Sequence, residues 1–270
     1  MNTSAPFSFV ALPKERSLAK PRRKGLTMMI DDGMPLGLTE DILNLAESYI
    51  DLAKIKTGTA RLYPRKSLEN KLALYKQRQI RPFLGGQFHE YVFGTAGEAA
   101  LPPFYEEALA LGFDIIEISD NVVPLTDQQR ESQIRGAIRA GLQVFGEVGS
   151  KETLSDPSLL IRQAELCFKA GAALVLVEAA ELVENGEVRP AVLQLLKREL
   201  DMEKVMIELP GPWIKGVHSC DIELMKRELI EAFGPDVNLA NVGSATIIDT
   251  EAARVGLGTA GPAKSLLSPN

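Results

Sequence analysis

Leu111-Gly-Phe-Asp-Ile-Ile-Glu-Ile-Ser-Asp120 holds the end of one element, the whole of a second, and a change of chemistry. Residues 104–111 carry apolar side chains at helical spacing, and Gly112 is where such a helix closes in a left-handed cap. Residues 115–118 are short, β-branched and almost wholly apolar, as a strand buried on both faces must be. Polarity returns at Ser119 and Asp120. Going outward, the pattern repeats. A helical stretch at 126–140 ends at Gly141 and is followed by an apolar run at 144–148. Another at 157–170 ends at Gly171 and is followed by a run at 174–177.

The same alternation covers most of the chain. Apolar runs lie at 26–30, 49–55, 80–84, 115–118, 144–148, 174–177, 205–207 and 237–240, with helical stretches at 38–46, 67–77, 104–111, 126–140, 157–170, 192–200 and 220–233. Thr39 is the expected cap of the first helix. Eight such units without a linker-like break are the pattern of a closed (β/α)8 barrel, a TIM barrel, in an α/β chain. An open doubly wound sheet more often has a Gly-rich phosphate turn after its first strand; here that turn reads Asp31-Asp32-Gly33-Met34-Pro35. The expected division is an N-terminal arm at 1–24, a single barrel domain at 25–258 and a C-terminal tail at 259–270. The arm, with Lys20, Arg22, Arg23 and Lys24, reads as loose chain, or as a packing arm in an oligomer.

Composition narrows the function. The 270 residues are 45% hydrophobic and 24% charged, with 30 Lys and Arg, 36 Asp and Glu, and a formal charge of −6. Two His and two Cys exclude a disulfide framework and a Cys-rich zinc module. The acidic balance disfavours a nucleic-acid partner, and no stretch approaches the ~20 apolar residues of a membrane helix. The expected setting is cytoplasmic, with a small anionic molecule as the partner.

In a barrel of this kind chemistry sits where strands end. The runs end at Asp31; at Lys54, followed by Lys56, Gly58 and Thr59; at Gly85 and Gly86, followed by His89 and Glu90 in an expected loop; at Glu117, Ser119 and Asp120; at Glu147, followed by Ser150 and Lys151; at Glu178; at Glu208; and at Asn238 and Asn241. Convergent carboxylates raise one another's pKa unless a cation neutralises them, and oxygen ligands suit Mg²⁺. Asp31, Glu117, Glu147, Glu178 and Glu208 are the candidate metal ligands. The interspersed lysines can bind an anion or carry a proton. Cys167 reads as core, and Trp213 as a packing or interface residue.

Six segments extend this reading: GLTMMIDDGMP (25–35), YIDLAKIKTGTA (49–60), FLGGQFHEY (83–91), LGFDIIEISD (111–120), FGEVGSK (145–151) and VNLANV (237–242). In this order they resemble the phosphosulfolactate synthase family, which also has a plant heat-stress branch. The resemblance implies a Mg²⁺-dependent lyase of (β/α)8 fold, joining sulfite to phosphoenolpyruvate to give a phosphosulfolactate. It implies a homo-oligomer as well. It assigns Lys151 as the general acid, Lys54 as a second catalytic lysine, and Gly58, Thr59, Arg65, Gly85, Gly86, Ser119 and Asn241 as substrate contacts. The chain departs from the family at three loops. Glu178-Ala-Ala-Glu-Leu-Val-Glu184 replaces an Arg- and Gly-containing loop, Lys56-Thr57 replaces a Gly-Trp-type pair, and Glu208-Leu-Pro-Gly-Pro-Trp213 replaces an Ala-Pro-Gln type. An anion site is therefore lost or moved to Lys56, Arg61 and Arg65. The alternatives are the same barrel acting on another enol or phosphorylated substrate, or a binding protein without catalysis.

Overall fold

The computed structural model describes residues 6–149, 156–184 and 187–257. In chain order the strands are β1 (Thr27–Asp31), β2 (Leu52–Ile55), β3 (Arg81–Leu84), β4 (Ile115–Ile118), β5 (Gln143–Val148), β6 (Leu174–Glu178), β7 (Val183–Glu184), β8 (Glu187–Val188), β9 (Val205–Glu208) and β10 (Leu239–Gly243). Eight of them close into a parallel barrel in the order β1-β10-β9-β6-β5-β4-β3-β2, and β7 and β8 form a separate antiparallel pair. The chain is thus the single-domain TIM barrel expected from its eight runs.

The helices are α1 (Leu36–Ala46), α2 (Arg65–Gln77), α3 (Gly86–Ala96), α4 (Leu101–Leu111), α5 (Asp127–Ala140), α6 (Pro157–Ala170), α7 (Pro190–Glu199), α8 (Ser219–Phe233) and α9 (Ile247–Arg254). Local chemistry sets many of the ends. Gly112, Gly141 and Gly171 close α4, α5 and α6 in the left-handed conformation. Thr126 caps α5 in a reciprocal box with Gln129, and Asp156 caps α6. The expected cap at Thr39 is not one: Pro35 precedes α1, and the buried Thr39 hydroxyl donates to the Pro35 carbonyl at 3.1 Å. Helices α3 and α9 escaped the periodicity reading. Helix α3 opens on two glycines and holds aromatics on several sides, so no apolar stripe stands out. No helix among the described residues is long and apolar enough to cross a membrane.

Two apolar clusters divide the core. Met28, Leu52, Phe83, Ile115, Phe145, Leu176 and Met206 fill the barrel interior. Met29, Ala53, Ile55, Leu84, Ile116, Ile118, Val175 and Ile207 pack outward with the helices. Strand side chains alternate with a period of two. Two residues beyond each of those interior residues come Ile30, Lys54, Gly85, Glu117, Glu147, Glu178 and Glu208. The apolar plug is therefore roofed by a layer in which one lysine and four glutamates share the barrel axis. β10 joins by a different route. Its register with β1 shifts between Thr27 and Met29, and Asn241 takes a left-handed φ of 57°. This bulge changes the phase of the strand and brings Asn241 inward.

The arm is not loose chain over its described C-terminal part. Arg16 pairs with Glu251 at 3.1 Å and donates to the carbonyls of Pro235 and Gly25. Arg22 grips Asp51 through two bonds of 2.8 and 2.9 Å. These cations meet carboxylates and carbonyls at the N-terminal end of the barrel, opposite the polar layer, so Arg16 and Arg22 tie the arm to that end.

Candidate active site

The carboxylates of Glu117, Glu147 and Glu208 converge, each offering an oxygen within 4.8 Å of the others, and all three are buried. Lys54 stands among them, its Nζ 2.7 Å from Glu117 Oε2 and 3.2 Å from Glu208 Oε1. Asn241 Nδ2 donates to Glu208 Oε1 at 2.6 Å, Asn121 Nδ2 to Glu147 Oε1 at 2.7 Å, and the Gly86 amide to Glu117 Oε1 at 2.9 Å. Glu208 Oε2 is buried without a hydrogen-bond partner.

The electrostatics follow. Burial opposes the Lys54 ammonium, but Glu117, Glu208 and Glu147 outweigh it and hold its pKa above the ordinary lysine value. It stays charged, and a proton held this firmly is a poor one to give away. Glu117 is pushed well above the usual carboxylate range, first by burial and then by Glu147 and Glu208, with Lys54 only partly offsetting them. With all four groups ionised, three carboxylates and one ammonium leave a formal charge of −2, the complement of one divalent cation.

Asp31 is placed elsewhere. It lies three residues beyond Met28, so it faces the helices instead of the barrel axis. Its Oδ1 accepts from the amides of Gly33 and Met34 at 3.0 Å, and its Oδ2 from Lys71 at 2.6 Å and Tyr75 at 2.7 Å. Lys71 also donates to the Met34 carbonyl. With both oxygens engaged, Asp31 pins the first strand-to-helix turn to α2 and stands apart from the converging carboxylates. Glu178 is buried, opposite Glu208 in the β6–β9 register, outside the group of three.

Gly85, Gly86 and Asn241 line a cleft above the polar layer, with Lys54, Lys56, Glu117, Glu208 and Trp213. The glycines are there for room. A Cβ on Gly86 would come within 2.2 Å of Ser119 Oγ and 2.6 Å of Glu117 Oε1, and one on Gly85 within 3.2 Å of Lys54 Cε. Ser119 hydrogen-bonds Glu90 at 2.5 Å, and Glu90 also accepts from the amides of Val122 and Val123. Glu90 thereby fixes the loop that carries Asn121. Thr59 serves as a brace, its amide and hydroxyl both donating to the Lys56 carbonyl. Gly58 packs near Phe88. Arg65 is not brought to the cleft. It lies at the exposed start of α2, paired with Glu69 and Glu107. Lys151 lies outside the described residues.

His89 is on α3, not in a loop. It is buried, its Nε2 2.9 Å from the Tyr105 hydroxyl, and burial lowers its pKa to about 4. It is neutral at physiological pH and away from the carboxylates' contacts. Asn121 and the buried Arg130 were missed by sequence reasoning. Arg130 donates to the Glu147 carbonyl at 2.8 Å and pairs with Asp120 at 2.6 Å, holding the ends of β4 and β5 together. Only Asn121 had a sequence signal, its position directly after the strand-end motif. Trp213, expected as a packing or interface residue, forms a wall of the cleft.

Comparison with known proteins gives a consistent result. Residues 15–259 match the family described as (2R)-phospho-3-sulfolactate synthase (ComA). The chain is 29% identical over 262 residues to a phosphosulfolactate synthase of Methanothermobacter thermautotrophicus, covering 93% of this chain and 95% of that one. It is 26% identical over 263 residues to the protein HEAT-STRESS-ASSOCIATED 32 of Arabidopsis thaliana, covering 87% of each. Among solved structures, 3-hexulose-6-phosphate synthase from Salmonella typhimurium superposes with a TM-score of 0.51 at 15% identity, covering 85% of this chain and 94% of that one, a likeness of fold.

Proposed function

The chain belongs to the (2R)-phospho-3-sulfolactate synthase family, and from that premise we propose that it is a Mg²⁺-dependent lyase adding sulfite to C3 of phosphoenolpyruvate. The observation that carries this reading is the convergence of Glu117, Glu147 and Glu208 around Lys54. The donor set fits the ion: it is all carboxylate oxygen, its formal charge with Lys54 counted and all four groups ionised is −2, and Glu208 Oε2 is buried without a hydrogen-bond partner. When bound, Mg²⁺ supplies a fixed positive charge that stabilises negative charge gathering on the substrate carboxylate.

The protein's own groups do the rest. Glu117, Glu147 and Glu208 would hold the ion, and Asn121 and Asn241 orient two of the carboxylates. Lys54 keeps the carboxylates from repelling one another and adds its own charge at the floor of the cleft. In the reaction a sulfur lone pair forms the bond to C3. The C2–C3 π electrons move toward the carboxylate, and C2 then takes a proton. Lys54 is too firmly ionised for that delivery, so it is assigned an electrostatic role. The proton donor is proposed to be Lys151, four residues beyond Glu147 in the chain.

The test is incubation with phosphoenolpyruvate, sulfite and Mg²⁺, following loss of the enol absorbance. Turnover that depends on all three, and that Glu208→Gln and Lys151→Ala each reduce, is the expected result. Absence of turnover together with absence of Mg²⁺-dependent phosphoenolpyruvate binding rejects the reading.

A further inference from the structure

If the anion site has moved and is not lost, the candidates from the sequence are Lys56, Arg61 and Arg65. Of these Lys56 alone lines the cleft. Its base is fully built. The Lys56 amide donates to the Asp31 carbonyl at 3.0 Å, and its carbonyl accepts from the Thr59 amide at 3.1 Å and the Thr59 hydroxyl at 2.6 Å. Thr57, the next residue, is held in the left-handed region at a φ of 47°, a cost borne only where surrounding structure enforces it. The tip is different. Among the described residues, no carboxylate pairs with the Lys56 ammonium and no protein group accepts a hydrogen bond from it. It rests on the Trp213 ring, 3.5 Å from the centroid. Burial lowers its pKa, and the Asp32 carboxylate opposes the shift.

We infer that Lys56 is the oxyanion-binding residue of the cleft rim, held in reserve on Trp213 until the phosphate or sulfonate group of a substrate enters. The inference rests on the proposed function only in taking this cleft as the active site. A charge-assisted hydrogen bond outcompetes a cation–π contact for a partly desolvated ammonium, so an arriving oxyanion takes Lys56 off the indole. Lys54, the other cleft lysine, is already committed to two carboxylates. Gly86 and Gln87, at the positive end of α3, line the same cleft and favour the same charge. The cleft is thus acidic at its floor and basic at its rim. A substrate with a metal-seeking carboxylate at one end and a tetrahedral oxyanion at the other is oriented by that polarity.

Space favours the displacement. The cleft is open to solvent but narrow, with about 30 Å³ of free space, so a three-carbon phosphate ester entering it presses on its walls, Trp213 among them. Gly211 allows the present closed arrangement, since a Cβ there would lie 2.1 Å from the Trp213 ring.

Trp213 is the single tryptophan of the chain, so emission excited at the red edge of indole absorption, where tyrosine does not absorb, reports on it alone. The full-length protein is titrated with inorganic phosphate and, separately, with methanesulfonate at constant ionic strength, following emission and heat. The expected result is a saturable emission change with at least one of the two, the tighter ligand identifying the oxyanion class. Lys56→Met should weaken that binding tenfold or more, and Lys56→Arg should restore most of it. Gly211→Ala, which evicts the indole and leaves Lys56 in place, should retain calorimetric binding while losing the emission change. Equal affinity in the wild type and Lys56→Met, or no binding of either anion, overturns the inference. Mg²⁺ titration separates the two readings: loss of Mg²⁺ binding with Lys56-dependent anion binding intact rejects the proposed reaction alone.

Discussion

Replacing Lys54 by methionine removes the one ammonium among three buried carboxylates and keeps most of the side-chain volume. Lys54 is 6% exposed, and Glu117 and Glu208 are each 2% exposed. Breaking a buried pair by removing one partner costs about 3–5 kcal/mol, because the other charge is left uncompensated. Lys54 serves two carboxylates at 2.7 and 3.2 Å, but the losses do not double, since a stranded carboxylate takes up a proton. Glu117 already sits well above the usual carboxylate range through burial and its neighbours, and without Lys54 it rises further. The sign follows from linkage. A glutamate whose folded pKa exceeds its unfolded value makes the folded state bind more protons, so stability falls as pH rises from the unfolded value toward the folded one. The Lys54→Met loss should therefore reach about 3–5 kcal/mol near about pH 8, roughly 6–20 °C in melting temperature for a chain of this size, and shrink near about pH 5. Millimolar Mg²⁺ should return more stability to the variant than to the wild type, by mass action on a site with one more negative charge. Thermal and urea melts at both pH values, with and without Mg²⁺, measure all three effects. A loss under about 1 kcal/mol at the higher pH, or the same loss at both, would falsify the picture of buried carboxylates whose charge Lys54 offsets.

Asp31→Asn should cost about 3–5 kcal/mol in urea melts by stranding the buried Lys71, with Mg²⁺ affinity by calorimetry unchanged; a large affinity loss would return Asp31 to the metal site. Mg²⁺ binding should release protons, because Glu117 is raised by burial and must ionise to ligate; affinity then increases with pH, and binding heats that do not vary with buffer ionisation enthalpy contradict this. Gly86→Ala, whose Cβ would meet Ser119 and Glu117, should lower turnover about 100-fold or more through misplaced groups, whereas Gly37→Ala, with nothing within 4 Å, should leave the rate unchanged. His89, lowered to about 4 by burial, should stay neutral from about pH 8 down to about pH 5 in an NMR titration. Its contribution to stability should be lost as pH falls from the ordinary histidine value near about 6.5 toward that lowered one.

Much of the barrel could be read from residue order. The apolar runs are continuous because parallel strands are covered on both faces, and Gly112, Gly141 and Gly171 mark helix ends by a backbone conformation that other residues resist. The polar strand ends were legible for the same reason: charge appears where burial stops. What residue order could not decide was which strand-end acid faces which way. In a run buried on both faces the inward and outward positions are equally apolar, so Asp31 and Glu117 look alike. Closure of the barrel separates them by parity, turning Glu117 toward the axis with Lys54 and Asp31 outward to Lys71 and Tyr75. Nor could residue order foresee the left-handed Asn241, since the bulge that turns it inward arises from the register between β10 and β1. It could not pair Lys56 with Trp213 either, because their contact joins loops that meet only when the barrel closes. Local chemistry determined the elements and their ends; the phase of each strand in a closed sheet decided which acids form the site.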